Sequence, residues 1–217
     1  MDKSQIIQQT ADFVKEQLAN AEGGHDWWHI FRVWQNAKTI AASESADLFV
    51  VELGALLHDI ADSKFHDGDE KIGPAIAIEF LLNQKVEQEV INHVVNIIQH
   101  ISFKRAHNEG QFKSTELDII QDADRLDALG AIGIARAFNY GGYKNRKIYD
   151  PTIPPNPHQT KEEYKNSTAP TLNHFHEKLL LLKDRMNTET GRKMAEKRHQ
   201  FLLTYLETFH QEWGSLE

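Results

Sequence analysis

Apolar residues recur along most of the chain at the spacing of one helix face. The segment from Val90 to Ile98 shows the pattern clearly, with apolar positions at intervals of three and four residues. Sustained alternation of apolar and polar residues, which is typical of a half-buried strand, is not found. The sequence therefore predicts an all-α fold, a helical bundle with about eight or nine helices.

Residues that cap helix N-termini mark several helix starts. Asp26 precedes a helix expected to run to about residue 42, and Asp47 precedes one expected to run to about residue 60. Thr115 opens a third helix, whose first turn carries acidic residues.

Glycine, proline and aspartate mark the expected loops between helices. The sequence predicts loops over 62–70 and 103–114, and a long one over 140–158 where glycines and prolines crowd together. A loop of that length is typical of a functional segment. Two helices, over about 169–187 and 189–213, are expected to end the chain.

Composition narrows the function. The chain has 217 residues, 24 basic against 32 acidic side chains and no cysteine. This length favours one domain, and the lack of thiols excludes disulfides and cysteine-based metal sites, so a bound metal must use histidine and carboxylate ligands. The net charge of −8 disfavours a nucleic acid polymer as partner. A local basic cluster of Lys144, Arg146 and Lys147 could still meet a small anion.

The N-terminus and the lengths of the apolar runs indicate where in the cell the protein is expected. The chain begins MDKSQII, without the basic and then apolar order of a signal peptide. The apolar runs are too short for a membrane span. We expect a cytoplasmic protein with no membrane partner, either a monomer or a homodimer.

Ionisable residues within apolar segments are the candidates for a functional site. His58 and Asp59 lie within VVELGALLHDIAD, where burial is costly unless each side chain is paired or ligates a metal. The alternative is a pair at a helix end that bonds to backbone or water. His29 in HDWWHIFRV and Asp124 in DIIQDADRLDALGAIG complete a set of nitrogen and oxygen donors on three helices, the way in which helical bundles build metal sites. Such donors suit Mn²⁺, Mg²⁺, Fe²⁺ or Zn²⁺.

The order H…HD…D, in the contexts HDWWHIFRV, ALLHDIADSKFHD and QDADRLDALGA, resembles the HD-domain superfamily of metal-dependent phosphohydrolases. It is most similar to the small bacterial YedJ/YpgQ-type subgroup, over about residues 20–150. The resemblance implies that His29, His58, Asp59 and Asp124 are the metal ligands.

The sequence pattern and the resemblance together predict a domain organisation and a cofactor. We expect one HD domain over 1–217, with the metal-site core at about 20–140, the long loop at 140–158 and a C-terminal helical pair at about 169–213. One divalent ion is expected, with Mn²⁺ or Mg²⁺ favoured and Fe²⁺, Co²⁺ or Zn²⁺ as alternatives. His93 and His100 are the candidates for a second ion, but their spacing of two helical turns favours capping or core-edge positions.

Three further residues are candidate catalytic groups. By resemblance, His25 is a general acid for the leaving oxygen, although the neighbouring glycines could leave it in a flexible turn. By the same resemblance, Asp62 is expected to orient the attacking water, with a solvated helix-terminal carboxylate as the alternative. Lys64 either contacts a phosphate or points into water.

Substrate binding is assigned to Arg125, Arg136 and Tyr140. The two arginines could bind phosphate oxygens in a forked geometry or form ion pairs with Asp122 or Asp127. The Tyr140 ring could stack on a base or belong to a mobile connector.

These residues favour hydrolysis of a small phosphorylated substrate, most of all a nucleotide. The subgroup further suggests pyrophosphohydrolysis, in which a nucleoside triphosphate releases pyrophosphate. One alternative is a di-iron oxygenase of the HD type, which would need His93 and His100 as ligands. Another is a nucleotide-sensing module with a structural metal.

Overall fold

A computed structural model describes residues 2–19, 21, 26–60, 71–101, 112–160, 163 and 167–214. In these ranges the chain forms α-helices and no strand, so the all-α prediction is confirmed. The nine helices with bounds in the described ranges are α1 (Lys3–Gln17), α2 (Trp27–Ala41), α3 (Leu48–Leu57), α4 (Ile72–Asn83), α5 (Gln88–His100), α6 (Thr115–Asp127), α7 (Gly130–Tyr143), α8 (Asn173–Glu177) and α9 (Glu189–Trp213).

The chain divides into two compact units, Met1–Asp124 and Arg125–Glu217, with the boundary inside α6. In the first unit, α3 is central because α1, α2 and α5 all pack against it. Gly54 of α3 allows Ile120 of α6 to lie close to the helix, since a Cβ atom at position 54 would lie 2.6 Å from the Ile120 side chain. Eight residues of α3 are buried, which explains its nearly continuous apolar sequence.

The second unit is built on α7 and α9, which pack against each other. Its core includes Phe175, whose ring lies 5.7 Å from that of Phe138 and 5.9 Å from that of Tyr205, centroid to centroid. Gly141 in α7 lies directly against Thr171, because an added Cβ would overlap the Thr171 side chain.

The capping residues predicted the helix starts correctly. Asp26 accepts a hydrogen bond from the His29 N–H at 3.0 Å, and Asp47 accepts one from the Phe49 N–H at 2.9 Å. Helix α3, however, ends at Leu57, three residues before the expected end, so His58 and Asp59 lie in the turn that follows it.

The structure corrects two other boundaries. The long loop does not begin at residue 140, because α7 continues to Tyr143 and includes Gly141 and Gly142. The helix expected over 169–187 is instead the short α8 and two 3₁₀ turns, Leu179–Leu181 and Lys183–Arg185. The backbone leaves the helical region at Lys178, and the leucines that follow it occur in succession and not at the spacing of one helix face.

The loop predicted over 62–70 and most of the one over 103–114 lie outside the described residues. Among the helices that the structure describes, none has the length and apolar character needed to cross a membrane.

Candidate metal centre

His29 is placed by the first turn of α2. The Asp26 carboxylate caps this turn by accepting from the His29 backbone N–H. The side chain projects on the same face as Ile30 and Val33 and is almost fully buried, with 2% of the residue exposed. A buried imidazole requires polar partners or a metal ion. The burial of His29 therefore marks it as a candidate ligand.

His58 follows the last residue of α3. Its Nδ1 lies 2.9 Å from the backbone carbonyl oxygen of Ala55. A carbonyl oxygen only accepts, so Nδ1 carries the hydrogen and Nε2 keeps its lone pair. A hydrogen bond of this kind, from one ring nitrogen to a backbone carbonyl, orients a histidine for metal binding through the other nitrogen.

The donor atoms of His29, His58 and Asp59 converge. One ligand atom from each residue lies within 4.8 Å of the others, and the two imidazole centroids are 5.5 Å apart with their planes at 65°. Donor atoms held about 2.1 Å from one ion lie about 3 to 4.2 Å from one another. Small side-chain adjustments would therefore bring all three atoms onto one ion.

Asp124 of α6 brings a second carboxylate to the same place. Its Oδ1 is 3.5 Å from Nε2 of His29, and its side chain is 45% exposed while that of His29 is buried. The fourth predicted ligand therefore lies on the solvent side of the cluster. Of the four residues assigned as ligands from the sequence, His29, His58 and Asp59 have donor atoms that converge, and Asp124 is beside them through His29.

The donor set fits a divalent metal ion. Two neutral imidazoles and two carboxylates suit the ions between Mg²⁺ and Zn²⁺, and the absence of thiolates favours the harder ones. A six-coordinate ion bound by four side chains would keep about two positions for water and substrate oxygens. No second group of three metal-ligating side chains occurs among the described residues.

His93 and His100 on α5 have other contacts. Nε2 of His93 lies 3.0 Å from Oγ of Ser114 and 3.4 Å from Oε2 of Glu116. Glu116 also accepts from the Asp47 N–H at 2.9 Å, so one carboxylate links α3, α5 and α6. Nothing in the sequence pattern pointed to this contact between α5 and Glu116.

His100 donates from Nδ1 to the backbone carbonyl of Asn96 at 2.8 Å. Both histidines also lie beside the ring of Phe112, with centroid distances of 5.4 Å for His93 and 5.8 Å for His100. These contacts correspond to the core-edge interpretation of the two side chains.

The three predicted substrate residues belong to the second unit. Arg136 donates from Nη1 to the buried Asp127 carboxylate at 2.5 Å, which is the ion-pair alternative for this side chain. Arg125 donates from Nη1 to the Arg185 carbonyl at 2.7 Å. Tyr140 is half exposed in the last turn of α7. The three predicted catalytic residues, His25, Asp62 and Lys64, lie outside the described residues.

The class defined by this fold and site is an all-α protein with a candidate mononuclear metal site, whose residues come from α2, α6 and the turn after α3. Comparison with known proteins identifies the family. The HD domain matches residues 27–129, a span that contains all four candidate ligands. The chain belongs to the HD-domain superfamily, within the group of HD-superfamily hydrolases that includes YpgQ.

Similar proteins match along almost the entire chain. YpgQ of Bacillus subtilis (strain 168) is 36% identical over 216 residues, which are 98% of this chain and 96% of YpgQ. An HD-superfamily hydrolase from Bacillus thuringiensis has a crystal structure with a TM-score of 0.79 and 42% identity, covering 99% of this chain and 100% of that one. The crystal structure of YpgQ in complex with ADP has a TM-score of 0.78 and 34% identity, with coverage of 98% and 97%.

Proposed function

We propose that the chain is a metal-dependent phosphohydrolase whose substrate is a nucleotide. The observation that carries this proposal is the convergence of the His29, His58 and Asp59 donor atoms within 4.8 Å, with Asp124 3.5 Å from His29. The membership of the HD-domain superfamily supports the hydrolase class, and the ADP complex of YpgQ supports the nucleotide.

The ligand residues perform separate tasks in this proposal. His58 presents Nε2 because Ala55 holds its other nitrogen as a donor. Burial of His29 keeps water from competing for its imidazole, and the exposed side of Asp124 leaves access for substrate. A divalent ion held by these residues would supply a Lewis acid for a phosphate oxygen and activate water at neutral pH.

The remaining roles rest on the sequence. Asp62 orients the attacking water, and His25 or Lys64 supplies a proton or a positive charge to the leaving oxygen. Arg125 and Tyr140 contact the substrate. Arg136 would bind a phosphate either through N–H groups other than the one that donates to Asp127 or by exchanging that contact, and mutation of Arg136 tests this role.

The bond that is cleaved is the finer part of the proposal. In pyrophosphohydrolysis, water attacks the α-phosphorus of a nucleoside triphosphate, the bond from that phosphorus to the bridging oxygen breaks, and pyrophosphate leaves with that oxygen. A phosphatase acting on a monophosphate would release phosphate alone. The two reactions differ in products and can be separated by one assay.

The experiment measures phosphate and pyrophosphate release from nucleoside mono-, di- and triphosphates. Metal-stripped protein is reloaded with Mn²⁺ or Mg²⁺ and compared with Asp59→Asn, which keeps the side-chain shape but removes the charge. Asp12→Asn, on the exposed face of α1, is the matched control. We expect metal-dependent pyrophosphate from triphosphates in the wild type and in Asp12→Asn, and none in Asp59→Asn.

Two results would contradict the proposal. Turnover that persists in Asp59→Asn would remove the metal centre from the reaction. Tight Mn²⁺ binding without turnover of any nucleotide would favour the sensing module or another substrate class.

A further inference from the structure

A group of aromatic and basic side chains lies at the C-terminal end of α7. Tyr140 and Tyr143 are 50% and 65% exposed, and their ring centroids are 6.5 Å apart. The ammonium of Lys144 lies 5.0 Å from the Tyr143 centroid and 5.7 Å from that of Tyr140. The guanidinium carbon of Arg146 is 5.7 Å from the Tyr140 centroid. We call these four residues the tyrosine–cation patch.

The end of α7 holds the patch in place. Asn145 adopts a left-handed backbone conformation, with φ of 55°, directly after the helix cap. Its N–H donates to the Gly142 carbonyl at 3.0 Å, and the Arg146 N–H donates to the Gly141 carbonyl at 2.9 Å. These two bonds form a Schellman motif, which sets the direction of the chain after a helix. These backbone bonds keep the main chain of Lys144 and Arg146 next to the last turn of α7, which carries the two tyrosines.

In the part of the chain that the structure describes, no carboxylate pairs with the cations of the patch. Within the described ranges, neither Lys144 nor Arg146 forms an ion pair, whereas the adjacent Lys147 pairs with Asp150 at 2.7 Å. Arg146 donates one bond from Nη2 to the carbonyl of Ser167, a neutral acceptor.

A neighbouring buried histidine lies close enough to Arg146 to be affected by its charge. The pKa of His174 is lowered to about 3, first by burial and then by the positive charges of Lys178 and Arg146. An anion bound beside Arg146 would therefore find a favourable field in the second unit.

We infer that the tyrosine–cation patch binds a nucleotide without a divalent metal, with the base on the exposed tyrosine rings and a phosphate on Lys144 and Arg146. Stacking on aromatic rings recognises any base, and arginine and lysine recognise phosphate oxygens. The net charge of −8 favours a single nucleotide over a long polymer. The inference rests on the proposed function for the class of ligand, and it shares Tyr140 with the substrate contacts proposed there.

The experiment measures the fluorescence anisotropy of ADP that carries a fluorescent group on its ribose, titrated with full-length protein in excess EDTA. We expect saturable binding by the wild type and equal affinity in Asp59→Asn, because no metal ligand takes part. Tyr143→Leu should weaken binding about 5- to 150-fold, the range for loss of one stacking ring, while Tyr143→Phe should keep it.

A matched pair of lysines tests the charge. Lys144→Gln should weaken binding and Lys193→Gln, an exposed position on α9, should not. The substituted side chains are exposed, so the thermal midpoints should change little.

Several outcomes would overturn the inference. These are unchanged affinity in Tyr143→Leu, no binding in EDTA, equal competition by inorganic tripolyphosphate and unlabelled ADP, and displacement by a thymidine oligonucleotide but not by ADP. The metal-dependent turnover assay is independent of this one. If the protein showed no turnover but still bound ADP in EDTA, the proposed function would be rejected and the inference about the patch would be retained.

Discussion

Nδ1 of His58 donates to the backbone carbonyl of Ala55, three residues earlier in the chain, over 2.9 Å. The last turn of α3 therefore selects the tautomer of a histidine that lies just beyond the helix. Because the carbonyl belongs to the backbone, any residue at position 55 would supply it. The tautomer of His58 therefore depends on the position of the turn and not on a second side chain.

The first prediction separates the two nitrogens of His58. In His58→Asn, the amide nitrogen can still donate to Ala55, but no atom remains at the Nε2 position. We expect the affinity for Mn²⁺ to fall at least about 100-fold, because loss of even an indirect partner of a ligand costs 10- to 100-fold. Isothermal titration calorimetry measures the affinity, with His176→Asn, an exposed position on α8, as control. Unchanged affinity would remove His58 from the ligand set.

The second prediction compares two neighbouring glycines in α7. A Cβ at position 141 would overlap Thr171, whereas one at position 142 meets no atom within 4 Å. We expect Gly141→Ala to lower the free energy of unfolding by about 1–3 kcal/mol through overpacking. Gly142→Ala should raise it by about 0.5–1 kcal/mol, because alanine favours the helix. Urea unfolding of both variants gives the comparison, and equal effects would contradict the packing of Gly141.

The third prediction concerns the ion pair of Arg136 with Asp127. Asp127 is buried, and removal of a partner from a buried carboxylate is costly. We expect Arg136→Met to destabilise the protein by about 3–5 kcal/mol, measured by urea unfolding. Lys193→Met, which removes an exposed pair with Glu189, should leave the free energy of unfolding almost unchanged. If Arg136→Met kept full stability but lost turnover, the phosphate-binding role of Arg136 would replace the structural one.

The fourth prediction is a dependence of stability on pH. The pKa of His174 is lowered from 6.5 to about 3 in the folded protein. Between these values the unfolded chain binds a proton that the folded protein does not, so this histidine makes stability fall as the pH drops. His174→Gln should remove a slope of about 1.4 kcal/mol per pH unit, the effect of one proton.

Urea unfolding from pH 4.5 to 8 measures this slope for both proteins. Above pH 7 the difference between their unfolding free energies should be constant. Parallel curves over the whole range would show that His174 takes up a proton as readily in the folded state.

Local signals predicted much of the fold. The caps Asp26 and Asp47 bond to N–H groups within three residues, so their effect can be inferred from sequence alone. The four candidate ligands were also identifiable, because an ionisable side chain in an apolar segment needs a partner or a metal ion. The contacts of distant residues were not predictable. The packing of separate helices decides whether Arg136 contacts a phosphate or Asp127. It also places His93 beside Glu116.

The candidate ligands come from three distant parts of the sequence, namely residue 29, residues 58 and 59, and residue 124. This separation has a consequence for folding. An ion bound there would act as a cross-link that closes two long loops in a chain without cysteine. The unfolded chain cannot hold the ligands together, so binding energy adds directly to the stability of the first unit. Metal supply during synthesis would then influence how quickly this unit reaches its final structure and how well it resists proteolysis.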